Sequence, residues 1–250
     1  MDNREISALS HSYWSGRAEE FSALRMADYE TPMRWNMQAF IRDVLPEKTP
    51  VKALDVGCGA GFLTLLLLAL GCVVTAVDFS GEMLAQAERN CREKGYSGGA
   101  EFLQMDAQQL EFPDASFDFA ITRNVLWTLP DAEKAYREMV RVLRPGGVLL
   151  NMDANYGKTF NEADARGEKP THPTQTEEQL RIRNRIARDL EVTKADRPVW
   201  DLHVLWDAGV SEVRCLRDME TRLDIGQYNQ ASTAASSKRR SLLFAVIAVK

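Results

Sequence analysis

The feature that most constrains the fold of this chain is a glycine-rich turn after a short apolar run. Residues 54–61 read Leu-Asp-Val-Gly-Cys-Gly-Ala-Gly, and an apolar segment follows over 62–70. Glycines let the backbone turn tightly and approach a ligand closely, and the first turn of a following helix offers free N–H groups. A strand, a glycine turn and a helix in this order are typical of a nucleotide-type site at the carboxyl end of a strand in an α/β fold.

Two residues of this region indicate the type of ligand. Phe62 stands where a dinucleotide-binding fingerprint places its third glycine, which that fingerprint needs for close packing of the helix on the strand. Asp55, at the end of the strand, suits a cationic amino group and would repel a pyrophosphate. Both residues disfavour a nicotinamide-dependent oxidoreductase.

The surrounding sequence alternates short apolar runs with longer amphipathic ones. The spacing predicts strands over 53–56, 73–77, 100–105, 117–122 and 148–152, and helices over 62–70, 81–94 and after Asp131. The apolar face of the third helix runs to Leu143, and Arg-Pro-Gly-Gly at 144–147 is expected to stop it. A helix over 200–208 and strands over 213–216 and 241–249 follow. Such alternation predicts a parallel sheet with right-handed crossovers and helices on both faces.

Acidic residues follow the second and third predicted strands. Asp78 follows the second strand, and Asp106, with Ala107 behind it, follows the third. A carboxylate at Asp78 would accept hydrogen bonds from both hydroxyls of a ribose, and one at Asp106 from an exocyclic adenine amine. Each has an alternative as a helix N-cap or a solvated strand end. Their order behind a single glycine loop favours the binding role.

With these motifs in place, the segment 54–153 resembles the class I S-adenosylmethionine-dependent methyltransferases, in particular the branch similar to the ubiquinone/menaquinone-biosynthesis enzymes. Besides 54–61, the matching motifs are Val-Asp-Phe-Ser-Gly-Glu-Met-Leu at 77–84, Met-Asp-Ala-Gln-Gln-Leu-Glu-Phe at 105–112, Ser-Phe-Asp at 116–118 and Arg-Val-Leu-Arg-Pro-Gly-Gly at 141–147. The resemblance implies S-adenosylmethionine as the cofactor. It also implies a doubly wound, seven-stranded, mostly parallel α/β sheet with an antiparallel last strand.

The resemblance further implies which residues bind the cofactor. In the glycine loop, Asp55, Gly57 and Gly59 would meet the methionine moiety, with Cys58 and Gly61 in the same loop. The remaining contacts follow the later strands: Asp78 at the ribose, Phe79 and Met83 at the adenine surface, Asp106 and Ala107 at the adenine edge, and Arg123 and Asn124 on the sulfonium side.

Two segments flank the predicted core. Residues 1–50 are rich in aromatic residues and predicted to be helical, as a lid segment beside a cofactor-binding domain of residues 51–250. Within that domain, residues 157–200 are predicted to form a helical lid insertion, with a capping box at Thr176 and Gln179. Its apolar stripe is narrow: Ile182, Ile186 and Leu190. The arginine face at 181, 185 and 188 is either solvated or a site for an anionic substrate.

The methyl acceptor is expected to be a small molecule. Residues in the N-terminal segment, or after the fourth and fifth strands, are the candidates to line its site: Tyr13, Trp14, Trp127, Asn155 and Tyr156. Core packing is an equally good account of the first three. The chain holds three candidate bases, His11, His172 and His203. A lone histidine is more often structural, so no catalytic residue is assigned.

Methyl transfer from a sulfonium is an in-line displacement that depends above all on orientation. A protein that binds the cofactor without turnover is the main alternative. The net charge of −5 argues against a nucleic-acid partner. The four cysteines lack metal-ligand spacing, and the longest apolar run, 62–70, is far short of the roughly 20 residues that span a bilayer. We therefore expect a cytoplasmic enzyme without a metal or a membrane partner, either a monomer or a homodimer.

Overall fold

The structure, a computed structural model, describes residues 1–167, 175–224 and 243–250. Its centre is a seven-stranded sheet in the order β3-β2-β1-β4-β5-β7-β6. Strands β1 to β5 are parallel, whereas β7 runs antiparallel to both β5 and β6. The fold prediction is thereby confirmed. The strands are β1 (Lys52–Val56), β2 (Val73–Asp78), β3 (Ala100–Gln104), β4 (Phe117–Arg123), β5 (Leu143–Asp153), β6 (Glu212–Leu216) and β7 (Phe244–Val249).

Helices precede, connect and follow these strands. Local capping fixes several of their starts: Asp2 and Glu5 form a capping box on the first helix, and Ser80 accepts from the Met83 N–H at the start of the fifth. The predicted capping box at Thr176 and Gln179 is confirmed. The helices are α1 (Asn3–Ser15), α2 (Ala18–Tyr29), α3 (Met33–Val44), α4 (Phe62–Ala69), α5 (Gly81–Glu93), α6 (Ala132–Val142), α7 (Tyr156–Ala165), α8 (Glu177–Asp189), α9 (Val199–Asp207) and α10 (Met219–Arg222).

The start of the fifth strand was predicted wrongly. Strand β5 begins at Leu143, five residues before the expected start, so Leu143 leaves the face of α6 and pairs with Phe117. The Gly146 N–H donates to the Lys250 carbonyl at 2.7 Å, and the Lys250 N–H donates to the Gly147 carbonyl at 3.0 Å. The segment 144–147 therefore joins the sheet because the end of the chain pairs with it, a contact that no local pattern contains. The predicted last strand, 241–249, begins outside the described residues and is observed from Phe244.

The core lies on both faces of the sheet, because successive side chains of a strand point to opposite faces. Phe119 and Ile121 of β4 pack with the apolar residues of α3 and α4 on one face. Ala120 packs on the other face with those of α6 and α9, around Tyr136 and Met139. Both faces are covered, as a mostly parallel sheet requires.

The N-terminal helices are held against the glycine-loop side of the sheet. Ser15 of α1 donates to the Ser80 hydroxyl at 2.9 Å, and Asn90 of α5 donates both to Ser22 of α2 and to the Ala60 carbonyl at 2.9 Å. On its other side, α1 packs against α8, which also packs against α7. The predicted division into lids and a cofactor-binding domain stays a prediction. Among the described helices, none has both the length and the apolar character needed to cross a membrane.

Candidate functional site

The glycine loop between β1 and α4 has a backbone that only glycine adopts readily. Gly57, Gly59 and Gly61 have φ values of 68°, 52° and 84°, and Gly61 is the N-cap of α4. Space is also limiting, because a Cβ on Gly57 would lie 2.5 Å from a methyl carbon of Val125. The loop is anchored on β2, where the Gly57 and Cys58 N–H groups donate to the Val77 carbonyl at 2.8 and 3.0 Å.

Asp55, at the end of β1, is a buried carboxylate with one partner missing. Its side chain is 1% exposed; one oxygen accepts from the Thr64 hydroxyl at 2.6 Å, and the other has no hydrogen-bond partner. Burial raises the pKa of Asp55 to about 7, although the hydrogen bond from Thr64 opposes the shift. A buried oxygen without a donor is costly, so this site favours a ligand that carries N–H donors and positive charge.

Asp78, at the end of β2, is positioned by the loop itself. Its two oxygens accept from the Gly59 N–H at 2.9 Å and the Ser80 N–H at 3.0 Å. Burial raises the pKa of Asp78 to about 6, and these N–H bonds oppose that shift. The carboxylate is therefore fixed in direction, with lone pairs left over for hydroxyl donors. Beside it, Phe79 packs edge-on against His11 with ring centroids 5.3 Å apart, and Met83 is buried.

Asp106 lies beyond the end of β3 and is exposed, while the following Ala107 is buried. The carboxylate of Asp106 accepts from the Gln108 side-chain amide at 2.9 and 3.0 Å and from the Gln108 N–H at 2.8 Å. Three acidic residues thus lie at or just beyond the carboxyl ends of neighbouring strands: Asp55 and Asp78 within the last two residues of β1 and β2, and Asp106 two residues after β3.

Comparison with known proteins agrees with this arrangement. A family model described as a methyltransferase domain matches residues 54–151. A phosphatidylethanolamine N-methyltransferase from Cereibacter sphaeroides is 42% identical over 146 residues, which cover 58% of this chain and 68% of that protein. The chain belongs to the S-adenosylmethionine-dependent methyltransferases.

Two further proteins are similar to this methyltransferase. A demethylmenaquinone methyltransferase from Thermus thermophilus is 37% identical over 131 residues, covering 52% of this chain and 58% of that protein. The structure of Haemonchus contortus phosphoethanolamine N-methyltransferase 2 with phosphomonomethylethanolamine and S-adenosylhomocysteine superposes with a TM-score of 0.59 at 19% identity. It is covered over 52% of its length and this chain over 86%. At that identity the superposition shows the shared fold.

The loop of this methyltransferase fits its cofactor. The unpartnered Asp55 oxygen lacks the kind of donor that the amino group of S-adenosylmethionine carries, and the glycine loop leaves no room for a side chain at Gly57. Asp78 keeps acceptor capacity for two ribose hydroxyls after its two backbone bonds. The observed chemistry of the two carboxylates therefore agrees with a cationic nucleoside.

The chain turns sharply after β4. Asn124 has a φ of 58°, its N–H donates to the Met152 carbonyl at 2.9 Å, and its side-chain oxygen is buried without a partner. The guanidinium of Arg123 lies over the Phe62 ring, 5.4 Å from its centre. Arg123 therefore packs against the start of α4, and the predicted place of both residues on the sulfonium side of the cofactor stays a prediction.

Three aromatic rings meet after β4 and β5. Trp127 lies edge-on to Tyr156 and Phe160, with ring centroids 5.6 and 5.8 Å apart, and its ring N–H is buried without a partner. Sequence reasoning missed Phe160, although its place four residues after Tyr156 puts both on one face of α7. The neighbouring Asn155 has its amide engaged with the Ala195 carbonyl at 3.1 Å, so it ties α7 to the segment before α9.

The other residues predicted to line the acceptor site, Tyr13 and Trp14, belong to α1. Tyr13 is buried; its hydroxyl accepts from Arg17 at 3.0 Å and donates to Gln175 at 3.1 Å. Trp14 packs edge-on against Tyr13 with centroids 5.1 Å apart. Among the arginines of α8, Arg183 reaches the aromatic rings, and its guanidinium stacks 3.7 Å from the centre of the Phe160 ring. The three arginines that the sequence singled out, at 181, 185 and 188, are exposed.

In the part of the chain that the structure describes, no histidine packs against Trp127, Tyr156 or Phe160. His11 and His203 are both exposed, His11 against Phe79 and His203 on α9, and His172 lies outside the described residues. Within the same described ranges, no group of three or more potential metal ligands is found.

A buried charged network that was not predicted joins the end of β5 to α9 and to the turn after β4. Arg197 pairs with Asp153, at the end of β5, at 3.0 Å and with Asp201 of α9 at 2.7 Å. The Tyr136 hydroxyl donates to Asp201 at 2.6 Å, and the backbone N–H of Trp127 donates to Asp153 at 3.3 Å. Burial raises the pKa of Asp153 to about 6, and the charge of Arg197 opposes the shift. The network fixes the turn that carries Trp127.

Proposed function

We propose that this chain transfers the methyl group of S-adenosylmethionine to a small-molecule acceptor that binds beyond the carboxyl ends of β4 and β5. The single observation that carries the proposal is Asp78, held by the Gly59 and Ser80 N–H groups beside the half-partnered carboxylate of Asp55. Asp55 would take the amino group of the cofactor and Asp78 its ribose hydroxyls.

The remaining cofactor contacts are proposed by position. Phe79 and Met83, at the start of α5, would bound the adenine, and Asp106 and Ala107 would meet its edge. When bound, S-adenosylmethionine supplies a methyl group that its sulfonium has already activated. The protein then has to orient the acceptor and exclude water, and orientation alone contributes about 7–11 kcal/mol in favourable cases.

The aromatic rings of Trp127, Tyr156 and Phe160 are proposed as the wall that orients the acceptor. Their centroids lie about 6 Å from one another, so they offer one continuous apolar surface. In the described part of the chain no histidine faces this surface.

Calorimetry tests the cofactor assignment. We expect S-adenosylmethionine and S-adenosylhomocysteine to bind, and Asp78→Ala to weaken binding by about 2–4 kcal/mol because two charge-assisted bonds are lost. Asp114→Ala is the matched control, since Asp114 is 76% exposed in the loop before β4 at the opposite edge of the sheet. Binding of NADH without binding of S-adenosylhomocysteine would contradict the proposal.

A second experiment separates an enzyme from a protein that only binds the cofactor. Acceptors suggested by the relatives, namely phosphatidylethanolamine, phosphoethanolamine and demethylmenaquinone, are incubated with methyl-labelled S-adenosylmethionine, followed by a wider metabolite panel. Transfer of label that Asp78→Ala reduces supports the proposal. Cofactor binding without transfer to any acceptor would favour the non-catalytic alternative.

A further inference from the structure

Two arginines from distant parts of the chain meet beside the acceptor wall. Arg25 comes from α2 and Arg123 from the end of β4, and the Nε atoms of both are buried without a hydrogen-bond partner. Arg25 pairs with Asp28 at 2.9 Å. Arg123 has no carboxylate partner among the residues that the structure describes.

Charge in this cluster is not balanced. Burial, and next the positive charge of Arg25, lower the pKa of Arg123 to about 10, so both guanidinium groups are charged at neutral pH. Asp28 is the carboxylate whose charge acts on both. Two partly buried cations therefore lie near the carboxylate of Asp28, an arrangement that another anion would stabilise.

Aromatic contacts offset only part of that cost. Arg25 lies 5.2 Å from the centre of the Phe21 ring, and Arg123 lies 5.4 Å from that of Phe62. A ring face attracts a cation but leaves its in-plane N–H donors unused. Both arginines thus keep donors available.

Tyr156 connects the arginine pair to the acceptor wall. Its ring packs against Trp127, and the charges of Arg123 and Arg25 both act on its phenol. Two other carboxylates act on Tyr156: Asp153, which Arg197 holds, and Glu220.

We propose that Arg25 and Arg123 bind an anionic oxygen group of the methyl acceptor, a phosphate or a carboxylate. This inference rests on the proposed function and names the acceptor's class. The planar fork of an arginine suits such groups because it donates two parallel N–H bonds to two oxygens. The acceptor would lie with its anionic group at the arginine pair and its body along Trp127, Tyr156 and Phe160.

The free Nε–H groups give a direct test. In the ¹H–¹⁵N spectrum of the protein loaded with S-adenosylhomocysteine, the Nε–H signals of Arg25 and Arg123 are assigned from Arg25→Gln and Arg123→Gln. Inorganic phosphate and acetate are then titrated in. We expect at least one anion to shift both signals, and each Gln variant to weaken its binding about ten- to hundredfold. Arg123→Lys should keep part of the affinity. Arg137→Gln, on the exposed face of α6, is the control and should change nothing.

A second experiment compares two acceptors that differ only in their phosphate group. Phosphoethanolamine and ethanolamine are compared as inhibitors of anion binding and as methyl acceptors, and phosphatidylethanolamine vesicles distinguish a lipid headgroup from a free phosphate. Only the anionic member of the pair should compete, and Arg25→Gln should abolish the difference. If S-adenosylhomocysteine binds but neither anion shifts the signals, or the Gln variants bind the anion unchanged, this inference is wrong. If S-adenosylhomocysteine itself fails to bind, the proposed function fails first.

Discussion

The half-partnered carboxylate of Asp55 predicts a particular dependence of stability on pH. Burial raises the pKa of Asp55 from 3.8 to about 7, so the folded protein binds this proton more tightly than the unfolded chain does. Stability from this group is therefore gained as the pH falls from about 7 towards 4 and lost again as the pH rises. Asp55→Asn removes the titrating group while keeping its shape.

The size of the effect follows from the two pKa values. One pKa unit corresponds to about 1.4 kcal/mol, and between pH 8 and pH 5 the native state gains about 3 kcal/mol from protonating Asp55. The free energy of unfolding of the wild type minus that of Asp55→Asn should rise by about this amount as the pH falls over the same interval. Any fixed cost of the asparagine cancels in the comparison between pH values.

Urea unfolding without cofactor at pH 5, 6, 7 and 8 measures this difference, with Asp114→Asn as the exposed control. Calorimetry at pH 8 should show Asp55→Asn weakening S-adenosylhomocysteine about ten- to hundredfold, because a charge-assisted bond to the amino group is lost. A stability difference that stays constant from pH 5 to pH 8 would show that Asp55 does not titrate there. Unchanged affinity would show that its free oxygen does not meet the cofactor.

Two further substitutions test the loop and its support. Gly57→Ala should lower the free energy of unfolding by about 1–3 kcal/mol and weaken cofactor binding, because φ is 68° and the new Cβ would lie 2.5 Å from Val125. Adding Val125→Ala should recover only the part of this loss that comes from the steric clash, and urea unfolding of both variants measures it. Arg197→Met should cost about 3–5 kcal/mol by leaving its two buried aspartates without a cation. Its melting temperature should be most depressed at pH 8 and recover towards pH 5, and a deficit independent of pH would contradict this account.

The cofactor half of the site was predictable because its signals are local. The glycine spacing at 57–61 fixes the turn, and Asp55 and Asp78 each end a strand that the sequence marks by its apolar run. The order of the strands then brings these ends to one edge of the sheet. What the sequence did not predict is how Asp78 is held, since its partners are backbone N–H groups whose directions depend on the folded turn.

The acceptor half was less predictable because it is assembled across the chain. Arg123 and Tyr156 follow β4 and β5 and were among the predicted site residues, whereas Arg25 lies about 100 residues before Arg123 and was not predicted. Arg183, rather than the three predicted arginines of α8, reaches the site because α8 packs against α1 and α7 with that face half-buried. The early start of β5 also depends on a contact between distant parts of the sequence, because Gly146 and Gly147 pair with Lys250.

The proposed cofactor site and the proposed acceptor site also differ in the kind of groups that form them. At the proposed cofactor site, the groups that hold Asp78 are main-chain N–H donors of Gly59 and Ser80, which only a substitution by proline would remove, and a Cβ on Gly57 would lie 2.5 Å from Val125. The groups proposed to contact the acceptor are side chains: Arg25 on α2, Arg123 at the end of β4, Trp127 after it, and Tyr156 and Phe160 on α7. The proposed acceptor class therefore rests on side chains of this protein, of which the buried, unpartnered Nε atoms of Arg25 and Arg123 are the most specific.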